Sequence, residues 1–287
     1  MGAKLCEAFC RVSVCDTCFD KIYVWFLVAS CAYYCLGIAG DERKEKCSNE
    51  ADPCHAFCDG AAALLARGLR GEEGQQRIQR AKVLIVGVGG LGSPVALYLT
   101  GAGVGTIGLM DDDVVSISNL QRQILYSEAE VGMPKAIQAK KRLEALNSSI
   151  QINAYPNRLT TENAAGIISQ YDIVVDGCDN FATRYLINDI CVQLGKIYVY
   201  GAIRAFDGQV SVFNYQGGPD YRHFFPDEDE MLSMPHPPKG VLGVTPGIVG
   251  CTEATEVLKI IGGYGEVLSG KLWIIDLKTM ETHILSL

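Results

Sequence analysis

The sequence of 287 residues is short of positive charge. Its 25 lysines and arginines are outnumbered by 33 aspartates and glutamates, which gives a net charge of -8 at pH 7. A surface of this sign repels phosphate backbones, so we expect no nucleic-acid partner. Apart from this imbalance, the composition of 48% hydrophobic and 20% charged residues is that of a globular chain, with room for one large α/β domain and an appendage.

Cysteine is scarce over most of the chain. Nine of the 12 cysteines precede residue 60, and only Cys178, Cys191 and Cys251 follow it. A domain with so few cysteines has no disulfide framework, which favours a reduced, cytoplasmic environment. We therefore predict a cysteine-rich N-terminal extension, residues 1–70, followed by a large domain, residues 71–287.

Residues 22–40 of the extension carry no charge at all. Their length is near the ~20 apolar residues that span a bilayer. A signal peptide is disfavoured, because acidic residues and cysteines crowd the front of the stretch and no small-residue cleavage site stands out. Three interpretations stay open: a membrane-associated anchor, a metal knob that uses the pairs Cys15/Cys18 and Cys54/Cys58, or an extension without a fixed fold, whether genuine or from a mis-assigned translation start.

From residue 71 onward, candidate strands alternate with helical segments. The strands are expected at 81–87, 106–111, 151–156, 171–177 and 196–201, and most of them are continuous apolar runs. This alternation predicts an α/β fold, a Rossmann-like, doubly wound and mostly parallel sheet. Strands at 208–215 and 271–277 lack crossover helices to close neighbours, and they predict an antiparallel extension of the sheet.

Helix boundaries follow from caps and breakers. Ser93 and Pro94 indicate where the first helix after the first strand begins, with the serine as its cap. Further helices are expected at 161–170, 184–195 and 251–261. The segment 219–239 is rich in proline and acidic residues, which predicts a long mobile loop.

A glycine-rich loop, GVGGLG at 87–92, joins the first strand to this helix. Gly87, Gly89, Gly90 and Gly92 let the backbone approach phosphate oxygens, whose charge the helix N-terminus stabilises. Asp111 ends the next strand about 20 residues later, where a carboxylate can hold a ribose hydroxyl. Together these features predict nucleotide binding, but they do not separate NAD from ATP.

Positively charged side chains further along the chain favour a triphosphate. The segment SNLQRQ at 118–123 contains Ser118, Asn119 and Arg122, and the arginine is a fixed cation with a planar fork suited to phosphate. Lys135 opens a helix from which its amine can reach the same pocket. Since hydride transfer has no use for these cations, a dehydrogenase is disfavoured.

Asp179 and Asn180 follow a strand, in the segment DGCDN at 176–180. Ligands of open α/β sheets bind at the carboxyl ends of the strands. A carboxylate beside an amide can hold Mg²⁺ against triphosphate oxygens, although a DN pair by itself is more typical of a helix cap. From these residues alone, a magnesium site and a helix cap both stay open.

These motifs occur in one order and spacing: GVGGLG, DxD, SNLQRQ, PKA and DxxDNxxxR, continued by GAIRAFDGQVSVF, GVLGVTPGIVG, EATEVLKII and LSGKLWIID. Over residues 71–287 the sequence resembles the ThiF, MoeB and HesA adenylyltransferases, which activate sulfur carriers in thiamine and molybdopterin biosynthesis and are related to ubiquitin-activating enzymes. The resemblance implies that the chain uses Mg-ATP to adenylate a small ubiquitin-like carrier protein at its terminal Gly-Gly carboxylate, with release of pyrophosphate. It also implies a homodimer.

The same resemblance assigns roles to individual residues. Gly90 would lie in the ATP loop, and Asp111 would hold the ribose. Asn119, Arg122 and Lys135 would contact the triphosphate. Asp179 would bind Mg²⁺, and Asn180 would lie beside it.

The sequence departs from this family at three places. Many members bind structural zinc through two CxxC pairs, but the corresponding stretches here are DYRH at 220–223 and ETHILSL at the end, so we expect no structural zinc. Many members also carry a cysteine before the GVLG motif, where this chain has His236, so we expect no covalent carrier intermediate there. Family members begin with an arginine that completes the ATP site of the second subunit, a role open to Arg67 or Arg70.

Two other functions stay open. The same fold can serve another acceptor, as in a tRNA-base dehydratase or a peptide-tailoring enzyme, although the acidic balance disfavours tRNA. A non-catalytic binding protein is the remaining hypothesis, which the retained triphosphate residues disfavour.

Overall fold

In a computed structural model of the protein, residues 72–234 and 240–286 are described. The predictions for residues 1–70, and the one for His236, lie outside these ranges. The helices are α1 (Glu72–Arg80), α2 (Gly92–Ala102), α3 (Lys135–Leu146), α4 (Ala164–Ile168), α5 (Phe181–Leu194), α6 (Tyr221–Phe224), α7 (Glu228–Ser233) and α8 (Val244–Gly262). The strands are β1 (Lys82–Val86), β2 (Thr106–Met110), β3 (Gln151–Tyr155), β4 (Ile173–Asp176), β5 (Ile197–Arg204), β6 (Asp207–Phe213), β7 (Lys271–Asp276) and β8 (Glu281–Ser286). None of the helices in these ranges has the length and apolar character needed to cross a membrane.

The described strands form one sheet in the order β3-β2-β1-β4-β5-β6-β7-β8. Pairings from β3 through β5 are parallel, and those from β5 to β8 are antiparallel. The strand order reverses between β1 and β4, which leaves a crevice at the carboxyl ends of these two strands. The predicted Rossmann-like, doubly wound sheet with an antiparallel extension is therefore confirmed.

The central strands are apolar on both faces because each face carries its own layer of core. Along β1, Val83 and Ile85 pack into one cluster with side chains of α2, α3 and α8, whereas Leu84 and Val86 pack into another with side chains of α4, α5 and α6. This two-sided burial explains why the sequence shows continuous apolar runs here rather than alternation.

Helix α8 packs closely on the beginning of α2. A Cβ on Gly250 would lie 2.5 Å from the carbonyl oxygen of Leu91 and 2.6 Å from Cγ of Pro94, so glycine is needed for this approach. The contact places α8 beside the loop that connects β1 to α2.

The predicted cap of α2 is wrong. The helix begins at Gly92, after Leu91, and the Ser93 hydroxyl instead donates to the carbonyl of Gly89 within the first turn. Serine commonly makes such a bond to a carbonyl four residues back once it is inside a helix. Gly103, in the left-handed region with a φ of +81°, ends the helix.

Other boundaries also differ from the predictions. Helix α8 begins two turns before 251 because GVTPG, with its glycines and proline, conceals the helical pattern. Helix α5 begins at Phe181 rather than at 184, and α4 is shorter than predicted. The predicted loop at 219–239 contains α6 and α7, and strand β8 near the C-terminus was not predicted.

Candidate active site

The glycine loop, residues 87–92, lies at the crevice between β1 and β4. Gly87 has a φ of +89°, and its amide donates to the carbonyl of Met110 at 2.7 Å. A Cβ on Gly92 would overlap the carbonyl oxygen of Gly87, and a Cβ on either Gly87 or Gly177 would overlap the backbone of the other. The loops that follow β1 and β4 can therefore touch only because these positions are glycine.

Asp111 fixes the glycine loop from the end of β2. Its Oδ2 accepts a hydrogen bond from the amide of Val88 at 2.8 Å, and its Oδ1 accepts one from the amide of Asp113 at 2.9 Å. Each carboxylate oxygen has a second acceptor site, which leaves capacity for a ribose hydroxyl. Burial raises the pKa of Asp111, and the charge of Lys135 and the two amides act in the opposite direction. The Tyr126 hydroxyl also holds the loop, by donating to the carbonyl of Val88 at 2.7 Å.

Arg122 lies against the glycine loop. Its Nη2 donates to Oδ1 of Asn119 at 2.7 Å, and its Nη1 donates to the carbonyl of Ser118 at 3.3 Å. A Cβ on Gly90 would come within 3.7 Å of Cγ of Arg122. Ser118 and Asn119 therefore hold the guanidinium group in place beside the loop.

Lys135 supplies a buried cation at the start of α3. Its side chain is 3% exposed, and its Nζ pairs at 2.8 Å with Oδ2 of Asp113, whose side chain is 70% exposed. A cation with one well-solvated partner remains available to a ligand of higher negative charge. The structure thus brings Asp111, Arg122 and Lys135 to the neighbourhood of the glycine loop.

Asp176, at the end of β4, is fully buried. Its Oδ2 accepts hydrogen bonds from Nε of Arg184 and the hydroxyl of Tyr198, both at 2.9 Å. Its Oδ1 accepts from the amide of Cys178 at 2.9 Å and from the Cys178 thiol at 2.8 Å. These donors and the paired guanidinium compensate for the burial of the charge. Asp176 therefore anchors the loop after β4, residues 177–180.

Asp179, three residues further on, is exposed. The neighbouring Asn180 caps α5, because its Oδ1 accepts a hydrogen bond from the amide of Thr183 at 2.9 Å. Within 72–234 and 240–286, no group of three or more histidine, cysteine or acidic side chains is arranged to hold a metal ion. Magnesium commonly takes only one or two carboxylates together with substrate phosphates, so a single exposed oxygen ligand at Asp179 fits that ion.

Cys178 lies between the two aspartates in an environment unsuited to a nucleophile. Burial raises the pKa of its thiol well above the usual range, and the charge of Asp176 adds to this effect. A thiol that stays protonated reacts poorly, and this one donates its hydrogen to Asp176.

Sequence reasoning assigned no role to three residues that contact the glycine loop or anchor the loop after β4: Gln123, Pro246 and Asp176. A Cβ on Gly89 would lie 3.2 Å from Nε2 of Gln123, and one on Gly90 would lie 3.1 Å from Cβ of Pro246. A signal for Asp176 was present, since an ionisable residue ends the otherwise apolar run IVVD. The contact between Pro246 and the glycine loop could not be predicted in this way, because the two segments are far apart in the sequence.

A glycine loop with a carboxylate after the next strand, at the switch point of a doubly wound sheet, defines the class of nucleotide-binding α/β domains. Within that class, a model of the ThiF family matches residues 62–287, and the chain belongs to this family.

Three curated relatives show the extent of the similarity. The chain is 51% identical over 201 residues to a probable molybdopterin-synthase adenylyltransferase of Porphyra purpurea, which covers 69% of this chain and 52% of that protein. It is 50% identical over 212 residues to the sulfur carrier protein adenylyltransferase of Thermus thermophilus, covering 72% and 78% of the two chains. Identity to the adenylyltransferase and sulfurtransferase MOCS3 of Mus musculus is 46% over 214 residues, covering 72% and 45%. The chain therefore spans about half the length of the first and third of these relatives.

Solved structures share the fold. Escherichia coli MccB with ATP has a TM-score of 0.67 and 26% identity, over 74% of this chain and 65% of that one. PaaA has a TM-score of 0.65 over 98% of this chain and 89% of its own, but at 20% identity this likeness concerns the fold alone.

Proposed function

We propose that this chain adenylates the C-terminal glycine carboxylate of a small ubiquitin-like sulfur carrier, using ATP and magnesium and releasing pyrophosphate. One observation carries the proposal: Asp111 and Arg122 contact the glycine loop, and the buried Lys135 lies close enough to Asp111 to lower its pKa. Two cations in this neighbourhood suit a triphosphate. The acceptor is inferred from the Thermus thermophilus relative, which is named a sulfur carrier protein adenylyltransferase.

In this reaction an oxygen of the carrier carboxylate attacks the α-phosphorus of ATP, and the bond to the bridging oxygen breaks so that pyrophosphate leaves. The glycine loop offers backbone amides to the phosphate oxygens, and Asp111 accepts a hydrogen bond from the ribose. Arg122 and Lys135 neutralise negative charge on the leaving pyrophosphate. Magnesium held by Asp179 would supply further positive charge there. The protein contributes position and charge neutralisation, and the step requires no enzyme nucleophile.

A second acceptor class has a specific observation in its favour. MccB, a microcin C7 biosynthetic enzyme, has been solved both with ATP and with N-formylated MccA. A tailoring reaction on a different acceptor would use the same nucleotide site. The sulfur carrier is favoured because identity is 50% to its named relative and 26% to MccB.

We also propose a homodimer in a cytoplasmic setting, with α8 and the antiparallel strands near the interface and no structural zinc in residues 71–287. The scarcity of cysteine supports the reducing compartment and the absence of zinc. Exposed apolar side chains at the start of α8 and on β8 offer surface there for a two-fold contact: Val244, Ile284 and Leu285. A monomer in light scattering at micromolar concentration with ATP, or stoichiometric zinc in the 71–287 fragment, would contradict these statements.

The decisive experiment is ATP–pyrophosphate exchange by the purified full-length chain. We expect exchange only when a carrier with an intact terminal Gly-Gly is present, because adenylation is reversible and the free carboxylate is the nucleophile. The same carrier without its last two glycines is the control. Exchange with a small peptide or tRNA, but with no Gly-Gly carrier, would transfer the assignment to another acceptor. ATP binding without exchange for any acceptor would favour a binding protein.

A further inference from the structure

Glu253 carries a buried carboxyl group that forms no hydrogen bond within the described part of the chain. It lies on α8 between Val249 and Val257, one turn from each, and all three side chains are almost completely inaccessible to solvent. Among the described residues, neither side-chain oxygen of Glu253 has a hydrogen-bond partner. Such groups are few in native proteins and call for an explanation, because an unpaired buried polar group is costly.

The surroundings of Glu253 connect it to the anchor of the β4 loop. Its carboxyl group lies against Gly201 of β5, where a Cβ would overlap it. The carbonyl of the same Gly201 accepts a hydrogen bond from Nη2 of Arg184 at 3.4 Å, and Nε of Arg184 is paired with Asp176. Two buried carboxyl groups and one buried guanidinium group therefore meet around Gly201.

No other strong charge balances this cluster within the described part of the chain. Helix α2 has no ionisable group except the exposed Tyr98, Asp207 of β6 is exposed at the far end of its strand, and Arg77 of α1 lies at Gly263, at the other end of α8. The other titratable groups near Glu253 are the phenol of Tyr200 and the carboxyl group of Glu256, on the next turn of α8, which is paired with Lys259.

One guanidinium group can neutralise one carboxylate, and Asp176 already has the direct bond together with three further donors. We propose that Glu253 stands in the folded protein as a neutral carboxylic acid, which packs beneath Gly201 and thereby keeps Arg184 on Asp176. Glu253 is then a positioning residue for the loop 177–180, which carries Asp179. Ionisation of Glu253 would place a second negative charge beside Arg184 and compete with Asp176 for it.

The electrostatic environment agrees with this geometry. Burial raises the pKa of Glu253 well above its ordinary 4.5, the charge of Asp176 raises it further, and Arg184 opposes both. The folded chain thus keeps a proton that the unfolded chain releases. The stabilisation from this proton is fully present below the unfolded-state pKa and is lost as pH rises toward the folded-state pKa.

Unfolding by urea at a series of pH values tests the proposal on the full-length chain without ATP or carrier. Relative to Glu253→Gln, which stays neutral and has nearly the same shape, the folding equilibrium constant of the wild type should fall by up to about tenfold per pH unit above pH 5. The matched control is Glu256→Gln, one turn away, where the glutamate is also buried but accepts hydrogen bonds from Lys259 and the amide of Leu268. This variant should be less stable than the wild type and should keep its dependence on pH. A wild type and a Glu253→Gln variant with parallel pH profiles would overturn the proposal.

A second measurement, NMR of the wild-type protein, does not depend on whether a variant folds. In protein labelled with ¹³C at glutamate carboxyls, one resonance should keep the chemical shift of a protonated acid at pH 7. If every glutamate carboxyl is ionised at that pH, the proposal is wrong. Both readouts concern the nucleotide-free chain, so they do not depend on whether adenylylation is the correct function.

Discussion

The loops that follow β1 and β4 are in direct backbone contact at the crevice of the sheet, yet they are fixed by different kinds of hydrogen bond. The β1 loop, residues 87–92, has no ionisable side chain, and it is fixed at Val88 through backbone bonds to Asp111 and Tyr126. The β4 loop is fixed through side chains, because Asp176 collects hydrogen bonds from three residues and Asn180 caps α5. One loop is therefore suited to offering backbone donors to an anion, and the other to offering a side-chain ligand.

Two aspartates at the end of β4 and in the loop after it share a residue type but differ in burial. Asp176 is inaccessible and fully engaged, whereas Asp179, three residues later, is exposed. We expect the first to be needed for the fold and the second for the reaction. The following variants test this contrast, in order of decreasing effect.

Asp176→Asn should have the largest effect on stability. It removes the negative charge and leaves Arg184 buried without its counter-ion, which typically costs about 3–5 kcal/mol. The measurement is the free energy of unfolding in urea. Asp179→Asn is the matched control, and it should change this free energy by less than about 0.5 kcal/mol. Equal losses in the two variants would remove the distinction between the two aspartates.

Asp179→Asn and Arg122→Ala should instead reduce carrier-dependent ATP–pyrophosphate exchange by ~10²–10³, because each removes one electrostatic contact to the triphosphate. Their unfolding should remain close to that of the wild type. Asp229→Asn, at an exposed position of α7, is the control for loss of an acidic side chain and should exchange normally. Normal exchange by Asp179→Asn would refute the hypothesis that Asp179 binds magnesium.

Gly87→Ala should destabilise the protein by about 1–3 kcal/mol, because alanine at a φ of +89° is strained and its Cβ would overlap the backbone of Gly177. ATP affinity should fall with it. Gly101→Ala in α2 is the control: nothing lies within 4 Å of a Cβ there, so it should stabilise the helix by about 0.5–1 kcal/mol. A neutral result at Gly87 would show that the two loops can separate without penalty.

Cys178→Ala should have the smallest effect. Asp176 would lose the thiol donor but keep the amide of residue 178, Arg184 and Tyr198, so the cost in unfolding free energy should be about 1 kcal/mol. Exchange should be nearly unchanged, because the reaction needs no enzyme thiol. If exchange is lost with Cys178→Ala but survives Asp179→Asn, the roles assigned to the β4 loop are wrong.

Local sequence signals correctly predicted those elements whose structure follows from their own residues. The apolar run that ends in GVGGLG predicted β1, its loop and α2, and strand–helix alternation predicted the parallel sheet. The same signals were wrong where a residue type is compatible with two local structures. Ser93 has the residue type of a cap, but the cap of α2 is Leu91, two residues earlier. The helical nature of 244–250 is concealed by its glycines and proline.

Periodicity and the order of short motifs were enough to establish the fold class and the ThiF family. The residues assigned to the nucleotide site stay a prediction. Three features became visible only in the folded chain: Asp176 is buried whereas Asp179 is exposed, Lys135 is paired with Asp113, and Glu253 lies against Gly201 near Arg184. These outcomes depend on packing between segments distant in the chain. The environment of a carboxyl group is set by the neighbours that fold around it, and one-dimensional spacing does not contain that information.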